Sequence, residues 1–136
     1  MTVQLSIPVR NARLDAIEAD IGVSPVMEIR SGAAPADCAT ADSGTVLATL
    51  TLPSDWMAAA SSGSKAKSGT WQDASADDTG TAAHFRIYDT ASPRVCHMQG
   101  TITATSGGGD MEVDNVAFAA GQQFTVSTFS LTDGNA

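Results

Sequence analysis

Aromatic residues are scarce in this sequence, which contains two tryptophans and one tyrosine. All aromatic residues together make up 5% of the 136 residues, whereas hydrophobic residues as a whole make up 43%. That hydrophobic fraction is too high for a disordered chain. A chain of this length buries about two-thirds of its unfolded surface. We therefore expect one folded unit with a thin core, filled by aliphatic side chains more than by rings.

Basic residues are also few. Seven Lys and Arg face fifteen Asp and Glu, so the net charge is −8. Binding to phosphates needs clustered basic residues, and the densest basic spot here is Lys65 with Lys67. An acidic chain is also repelled by nucleic acid at long range. The charge argues against a nucleic-acid partner, and it suits either a basic partner surface or a merely solvated one.

Long apolar runs are absent. No stretch approaches the about 20 residues of a membrane helix, so we expect no membrane partner. The first ten residues lack the basic segment and the apolar stretch of a secretory signal. We therefore expect the chain to stay in the cytosol, or inside something assembled there.

The sequence has only two cysteines, Cys38 and Cys96. Their wide separation matches no zinc-binding spacing. Reducing conditions in the cytosol favour free thiols, but a particle released from a cell can oxidise later. Whether the two are bridged stays open at this point.

Catalytic motifs are missing as well: the many serines include no G-x-S-x-G elbow. His84 and His97 occupy corresponding positions of a predicted hairpin. As a facing pair they would bind a metal or titrate near neutral pH; singly they are ordinary surface residues. Asp110, Glu112 and Asp114 alternate, which gives a solvated acidic face or a site for a cation such as Ca²⁺. We predict no enzyme activity, no catalytic residue and no cofactor.

An amphipathic helix is predicted for residues 7–21, capped by Ser6 and ended by Gly22. Its charges oppose the helix dipole, with Arg10 and Arg13 near the start and Glu18 near the end. Either these charges meet a partner such as a neighbouring subunit, or the energetic cost is too small to matter. We expect residues 1–22 to form a helix that packs across a sheet or reaches out as an arm, and residues 23–136 to form the β domain.

A β-hairpin is the clearest feature of the sequence. Residues 80–89 and 96–102 alternate between apolar and polar side chains, which indicates two half-buried strands. We expect one face to enter the core and the other to meet water or a partner. The inward set is Ala83, Phe85 and Ile87, and the outward set is His84, Arg86 and Tyr88.

Further short strands are predicted along the chain. They cover residues 26–30, 45–52, 70–72, 110–114 and 123–132, with a bulge or a doubly covered segment at 127–128 where the apolar phase slips. One helical turn is expected at 54–60 and a flexible polar excursion at 61–69. The fold class is mainly β: an antiparallel β-sandwich or jelly-roll with a short N-terminal helix.

Several segments make the chain resemble small proteins encoded among the virion-structure genes of tailed phages and prophages. They are residues 10–18, 52–57, 68–73, 80–87 and 129–134. The resemblance spans nearly the whole chain, and it implies a virion protein assembled in the host cytoplasm, with no catalytic residues.

Within such a particle, the resemblance implies a capsid decoration or cement protein. Its partners would be the major capsid protein and copies of itself. We expect the contacts at six residues, Arg10, Arg13, Glu18, His84, Arg86 and Tyr88. The alternatives are a head–tail connector or collar component, and a carbohydrate-binding or adhesin module, which would need exposed Trp or Tyr side chains.

Overall fold

The computed structural model describes residues 2–134. These residues form one α-helix and ten short strands, and strands hold 38% of the residues. The predicted mainly β, sandwich-like fold is confirmed. The elements are α1 (Ile7–Ile21), β1 (Val26–Ser31), β2 (Val46–Thr51), β3 (Ser64–Ala66), β4 (Trp71–Asp73), β5 (Gly80–Tyr88), β6 (Cys96–Ala104), β7 (Met111–Val113), β8 (Ala117–Phe118), β9 (Phe124–Val126) and β10 (Ser130–Thr132).

The largest sheet has the strand order β2-β1-β5-β6-β7, and β8 pairs with the start of β5. Its neighbours are antiparallel except for β6 and β7, which run parallel. Two small sheets pair β3 with β10 and β4 with β9. Buried residues of the large sheet and of the small sheets join in one hydrophobic core, so the core lies between them as in a sandwich.

The helix has the bounds that its capping residues predict. The Ser6 hydroxyl accepts a hydrogen bond from the Val9 N–H, Pro8 lies in the first turn, and Gly22 ends the helix at φ 91°. Proline tolerates a first-turn position because its nitrogen needs no partner there. No helix within residues 2–134 is long and apolar enough to cross a membrane.

Helix α1 packs on the β domain and does not reach out as an arm. The Trp56 indole N–H donates to the Gly22 carbonyl at 3.0 Å, and the Gly63 N–H donates to the Asn11 side chain at 2.8 Å. Ile21 belongs to the main hydrophobic core. The helix is thus tied to the β domain at both ends.

The predicted hairpin is confirmed by the antiparallel pairing of β5 with β6. Phe85 and Ile87 are buried in the core, while Ala83 is half-buried. Phe85 pairs with Gly100, and a Cβ atom at Gly100 would lie 2.8 Å from the Phe85 ring. The glycine therefore leaves the space that the ring occupies.

Two predictions for residues 54–69 are wrong. Residues 54–60 form no helical turn, and the excursion contains β3, which pairs with β10. The serine and lysine content suggested flexibility, but a distant strand supplies the backbone partners that this segment needs.

The C-terminal strand is also different from the prediction. Instead of one bulged strand, β9 pairs with β4 and β10 pairs with β3. The slip in apolar phase marks the point where the chain leaves one sheet and joins another. Val126 and Phe129 on the two sides of this break both enter the core.

Candidate functional site

The outer face of the large sheet carries a buried polar layer. Strand β1 contributes Glu28 and Arg30, and β5 contributes His84, Arg86 and Tyr88. The register places Glu28 opposite Arg86 and Arg30 opposite His84. These five residues are between 0% and 7% exposed. Both faces of β1 and β5 are therefore covered, one by the core and the other by polar groups.

The cover on this outer face is the segment between β1 and β2, residues 32–45, which we call the strap. Side chains of the sheet bind its carbonyl oxygens along its length. These bonds join His84 to Gly32 (2.8 Å), Gln99 to Pro35 (2.8 Å), and Arg86 to Cys38 (2.8 Å) and Thr40 (3.0 Å).

Asp42 of the strap, together with residues beneath and beside the strap, forms an ionic cluster of two carboxylates and three arginines: Glu28, Arg30, Asp42, Arg86 and Arg94. Asp42 lies 2.9 Å from Arg86, 3.2 Å from Arg30 and 3.3 Å from Arg94. Glu28 binds Arg94 at 2.6 Å and the Nε of Arg30 at 3.0 Å. Each carboxylate is thus shared between arginines, as buried charges require.

Tyr88 completes this cluster. Its hydroxyl donates to Asp42 at 2.6 Å, and the Arg94 guanidinium lies 3.8 Å from the centre of its ring. Burial and the bond to Asp42 raise the pKa of Tyr88. The phenol therefore stays neutral and acts as a hydrogen-bond donor and a stacking surface.

The arginines hold both carboxylates in the charged form. Burial acts to raise the pKa of Glu28, but hydrogen bonds from Arg94 and Arg30 outweigh it and lower the pKa from 4.5. Burial likewise opposes ionisation of Asp42, but Tyr88 and the arginines lower its pKa from 3.8.

This depression of the carboxyl pKa values predicts a loss of stability in acid. The unfolded chain takes up protons at higher pH than the folded chain, so the cluster's contribution is complete above about pH 5. It is lost as the pH falls below 4.5 and then through the folded-state pKa values. Urea unfolding at a series of pH values checks this. A free energy of unfolding that stays level between about pH 5 and pH 3 would contradict it.

The expectation that His84, Arg86 and Tyr88 face outward as exposed contacts is wrong. The strap covers them, and Asp42 of the strap forms an ion pair with Arg86. The sequence did carry a signal, because Glu28 and Arg30 alternate on a neighbouring strand. Opposite charges on paired strands stabilise each other, and a chain with such pairs can bury them.

The other three predicted contact residues, on α1, bind the β domain of the same chain. Arg10 donates to the Asp133 carbonyl at 2.8 Å, and Arg13 lies 3.3 Å from the Asp133 carboxylate. Glu18 lies 2.8 Å from the amine of Lys65. The charges that oppose the helix dipole thus have partners within the chain, and those partners are not a second subunit.

Lys65 is a buried residue in the segment that was predicted to be flexible. Its side chain is 2% exposed, and its amine contacts Asp15 at 2.7 Å as well as Glu18. Burial acts to lower the pKa of Lys65, but the hydrogen bonds that its amine donates to the two carboxylates raise it. The amine is held protonated, so it serves as an ion-pair partner and not as a nucleophile.

The two histidines do not face each other. His84 pairs with Thr101, which lies four residues beyond His97 on β6, so the register keeps the two rings apart. His97 is exposed and lies 2.9 Å from the Asp89 carboxylate. The alternative of a facing histidine pair is therefore wrong.

The alternating acidic residues bind groups on β6 and in the loop between β6 and β7. Asp110 accepts bonds from the Thr101 N–H and hydroxyl, and Glu112 accepts bonds from the N–H groups of Ser106 and Gly108. In the part of the chain from Thr2 to Gly134, no group of three or more His, Cys, Asp or Glu residues could hold a metal ion. The acids thus shape the loop between β6 and β7.

The aromatic residues that a carbohydrate-binding module would use are buried. Trp56 and Trp71 are 0% exposed and Tyr88 is 3% exposed, and these are all the Trp and Tyr residues of the chain. Sugar rings stack on exposed aromatic faces, so this alternative lacks the surface that it needs.

Comparisons of this chain with protein-family models, with curated proteins and with solved structures give no match. No residue role is therefore transferred from a relative. The surfaces that the fold leaves exposed are where a partner would bind.

Proposed function

We propose that this chain is a non-enzymatic structural protein of a tailed-phage virion and acts as a capsid decoration protein. Its partners in this proposal are the major capsid protein and copies of itself. The chain would bind the assembled head through protein–protein contacts. The observation that carries the proposal is the outward face of α1.

That face carries an apolar stripe, beside which Arg13 and Asp20 are also exposed. Val9, Ala12, Ala16 and Ala19 are all exposed, and their spacing places them along one side of the helix. The opposite side of α1 packs on the β domain through Leu14 and other residues. A surface helix of an isolated protein normally turns polar residues to water. An apolar outer face is what a helix needs when a second protein covers it.

Large apolar residues are also exposed at the start of α1 and in the stretch before it. Val3 is 83% exposed, Ile7 49% and Val9 46%. Only two other large apolar residues in the described part of the chain are exposed, Val23 and Val95. Clustered exposed apolar residues mark interaction sites more often than scattered ones do. We call Val9 and the three alanines of α1 the docking face.

Contacts within the chain hold the docking face in a fixed position. Arg10, Arg13 and Glu18 hold α1 on the β domain, so the docking face is presented on a fixed support. A pre-ordered surface loses little entropy on binding. A repeated lattice also multiplies modest contacts, because neighbouring copies bind at high local concentration.

The double variant Val9→Gln with Ala16→Gln is expected to bind the particle at least about tenfold more weakly, since polar side chains then replace the apolar face. Binding is measured by co-sedimentation with purified particles of the phage whose genome encodes the chain. The thermal midpoint should stay close to that of the unmodified chain, because both residues are exposed.

The matched control is Val23→Gln with Ala120→Gln, which makes the same changes at exposed positions elsewhere. The control should bind as the unmodified chain does. Equal binding by both double variants would show that the docking face does not contact the particle. If mass spectrometry of purified particles does not detect this protein, the proposed virion role itself is wrong.

The same labelled protein separates the decoration role from the alternative of a head–tail connector. A decoration protein covers the shell, whereas a connector or collar component lies at one vertex only. Electron microscopy of labelled particles distinguishes these two distributions directly.

A further inference from the structure

The two cysteines are far apart in the sequence but meet at the outer face of the large sheet. Cys38 lies in the strap, and Cys96 begins β6. Arg86 binds both residues: its Nη2 donates to the Cys38 carbonyl at 2.8 Å, and its Nε donates to the Cys96 sulfur at 3.2 Å. One buried guanidinium therefore positions the two cysteines relative to each other.

The thiols are free and half-buried. The Cys38 thiol also interacts with the Cys96 thiol. Burial first, and that interaction second, raise the pKa of Cys38 to about 11. Cys38 is therefore a protonated thiol at neutral pH, and it keeps its sulfur close to that of Cys96 without reacting quickly itself.

We propose that Cys38 and Cys96 form a reversible disulfide within one chain, which fastens the strap to β6. This inference is independent of the proposed virion role, because it follows from the position of the strap on the sheet. The oxidant would be a small disulfide of the glutathione class, and a dithiol would reverse the reaction.

The exchange has two steps. The Cys96 thiol gives its proton to solvent and its sulfur attacks one sulfur of oxidised glutathione, and the other sulfur leaves as a glutathione thiolate. The Cys38 sulfur then gives its proton to solvent and attacks the Cys96 sulfur of this mixed disulfide, and the second glutathione leaves. The two cysteines lose two electrons and two protons, and the oxidised glutathione becomes two thiols.

The disulfide should make the folded protein more stable. It would close a long loop that includes β2 to β5, and a cross-link of this kind limits the unfolded chain. It would also hold the strap over the ionic cluster. We expect the thermal midpoint to rise by roughly 5–15 °C on oxidation.

The test equilibrates the purified, folded full-length chain with reduced and oxidised glutathione at several ratios. Free thiols are blocked, and the protein is digested with trypsin and analysed by mass spectrometry. Cleavage after Arg30, Lys65 and Arg94 separates the two cysteines into residues 31–65 and 95–136. The expected product is these two peptides linked in a monomer, with the raised thermal midpoint, and both changes should be reversed by dithiothreitol.

Cys38→Ser and Cys96→Ser serve as matched controls, and oxidised glutathione should leave the thermal midpoint of each unchanged. Two free thiols in the folded protein, with pairing only in urea, would contradict the proposal. A link only between two chains would contradict it as well. A disulfide that leaves the thermal midpoint unchanged or lower would show that the strap is not fastened.

Discussion

Glu28→Gln is expected to lower the free energy of unfolding by about 3–5 kcal/mol. Glu28 is 6% exposed and is bound by Arg30 and Arg94. The amide keeps the size of the side chain but removes its charge. Arg30 then remains buried with less compensation, and a buried charge without its partner is strongly destabilising. Urea unfolding near neutral pH measures the change.

Asp114→Asn is the control for this variant. It removes one negative charge from an exposed residue, so its effect should stay within about 0.5 kcal/mol. A loss below about 1 kcal/mol for Glu28→Gln would place the cluster in a well-solvated setting, which would contradict its burial.

A second variant separates the cost of an unpaired charge from the cost of lost packing. Glu28→Met with Arg30→Met removes both members of the buried pair. Apolar replacements of a whole pair are often close to neutral, so the double variant should be more stable than Glu28→Gln. If the double variant is the less stable of the two, the ion pair itself stabilises the fold.

Phe85→Ala is expected to cost about 3–5 kcal/mol, as for other buried aromatic residues. Phe85 is 1% exposed. Its ring meets Phe129 edge to face at 5.7 Å and lies over Gly100. Truncation to alanine leaves a cavity between the large sheet and the C-terminal segment, and the backbone on both sides is held by strand pairing. The measurement is again urea unfolding, with the slope compared between variants.

Phe85→Leu keeps most of the volume and should cost clearly less than the alanine variant. Val95→Ala, at a residue that is 48% exposed, should have little effect. A cost below about 1 kcal/mol for Phe85→Ala would mean that the inward face of β5 is not the core face.

Local sequence patterns predicted the helix and the central hairpin well. Ser6 and Gly22 mark the two ends of α1, and the sequence shows them because capping depends on residues within one turn of the helix end. Alternation in β5 predicted the core positions of Phe85 and Ile87, since successive side chains of a strand point to opposite faces.

The candidate surfaces were harder to predict. The outward residues of β5 were expected to be exposed because they are polar, yet the strap covers them. The sequence shows which side chains share a face, but the exposure of that face depends on what packs on it. The apolar outer face of α1 could be identified only from the tertiary structure, which shows the side of the helix that packs on the β domain.

Composition, capping and alternation are local properties, and they determined that this chain forms a mainly β domain with one N-terminal helix. The tertiary structure decided which polar residues are buried, because the partners lie far apart: Glu28 and Arg94 are 66 residues apart, and Lys65 and Asp15 are 50 apart. A charge is buried only where the fold brings an opposite charge to it, and no local pattern specifies that meeting.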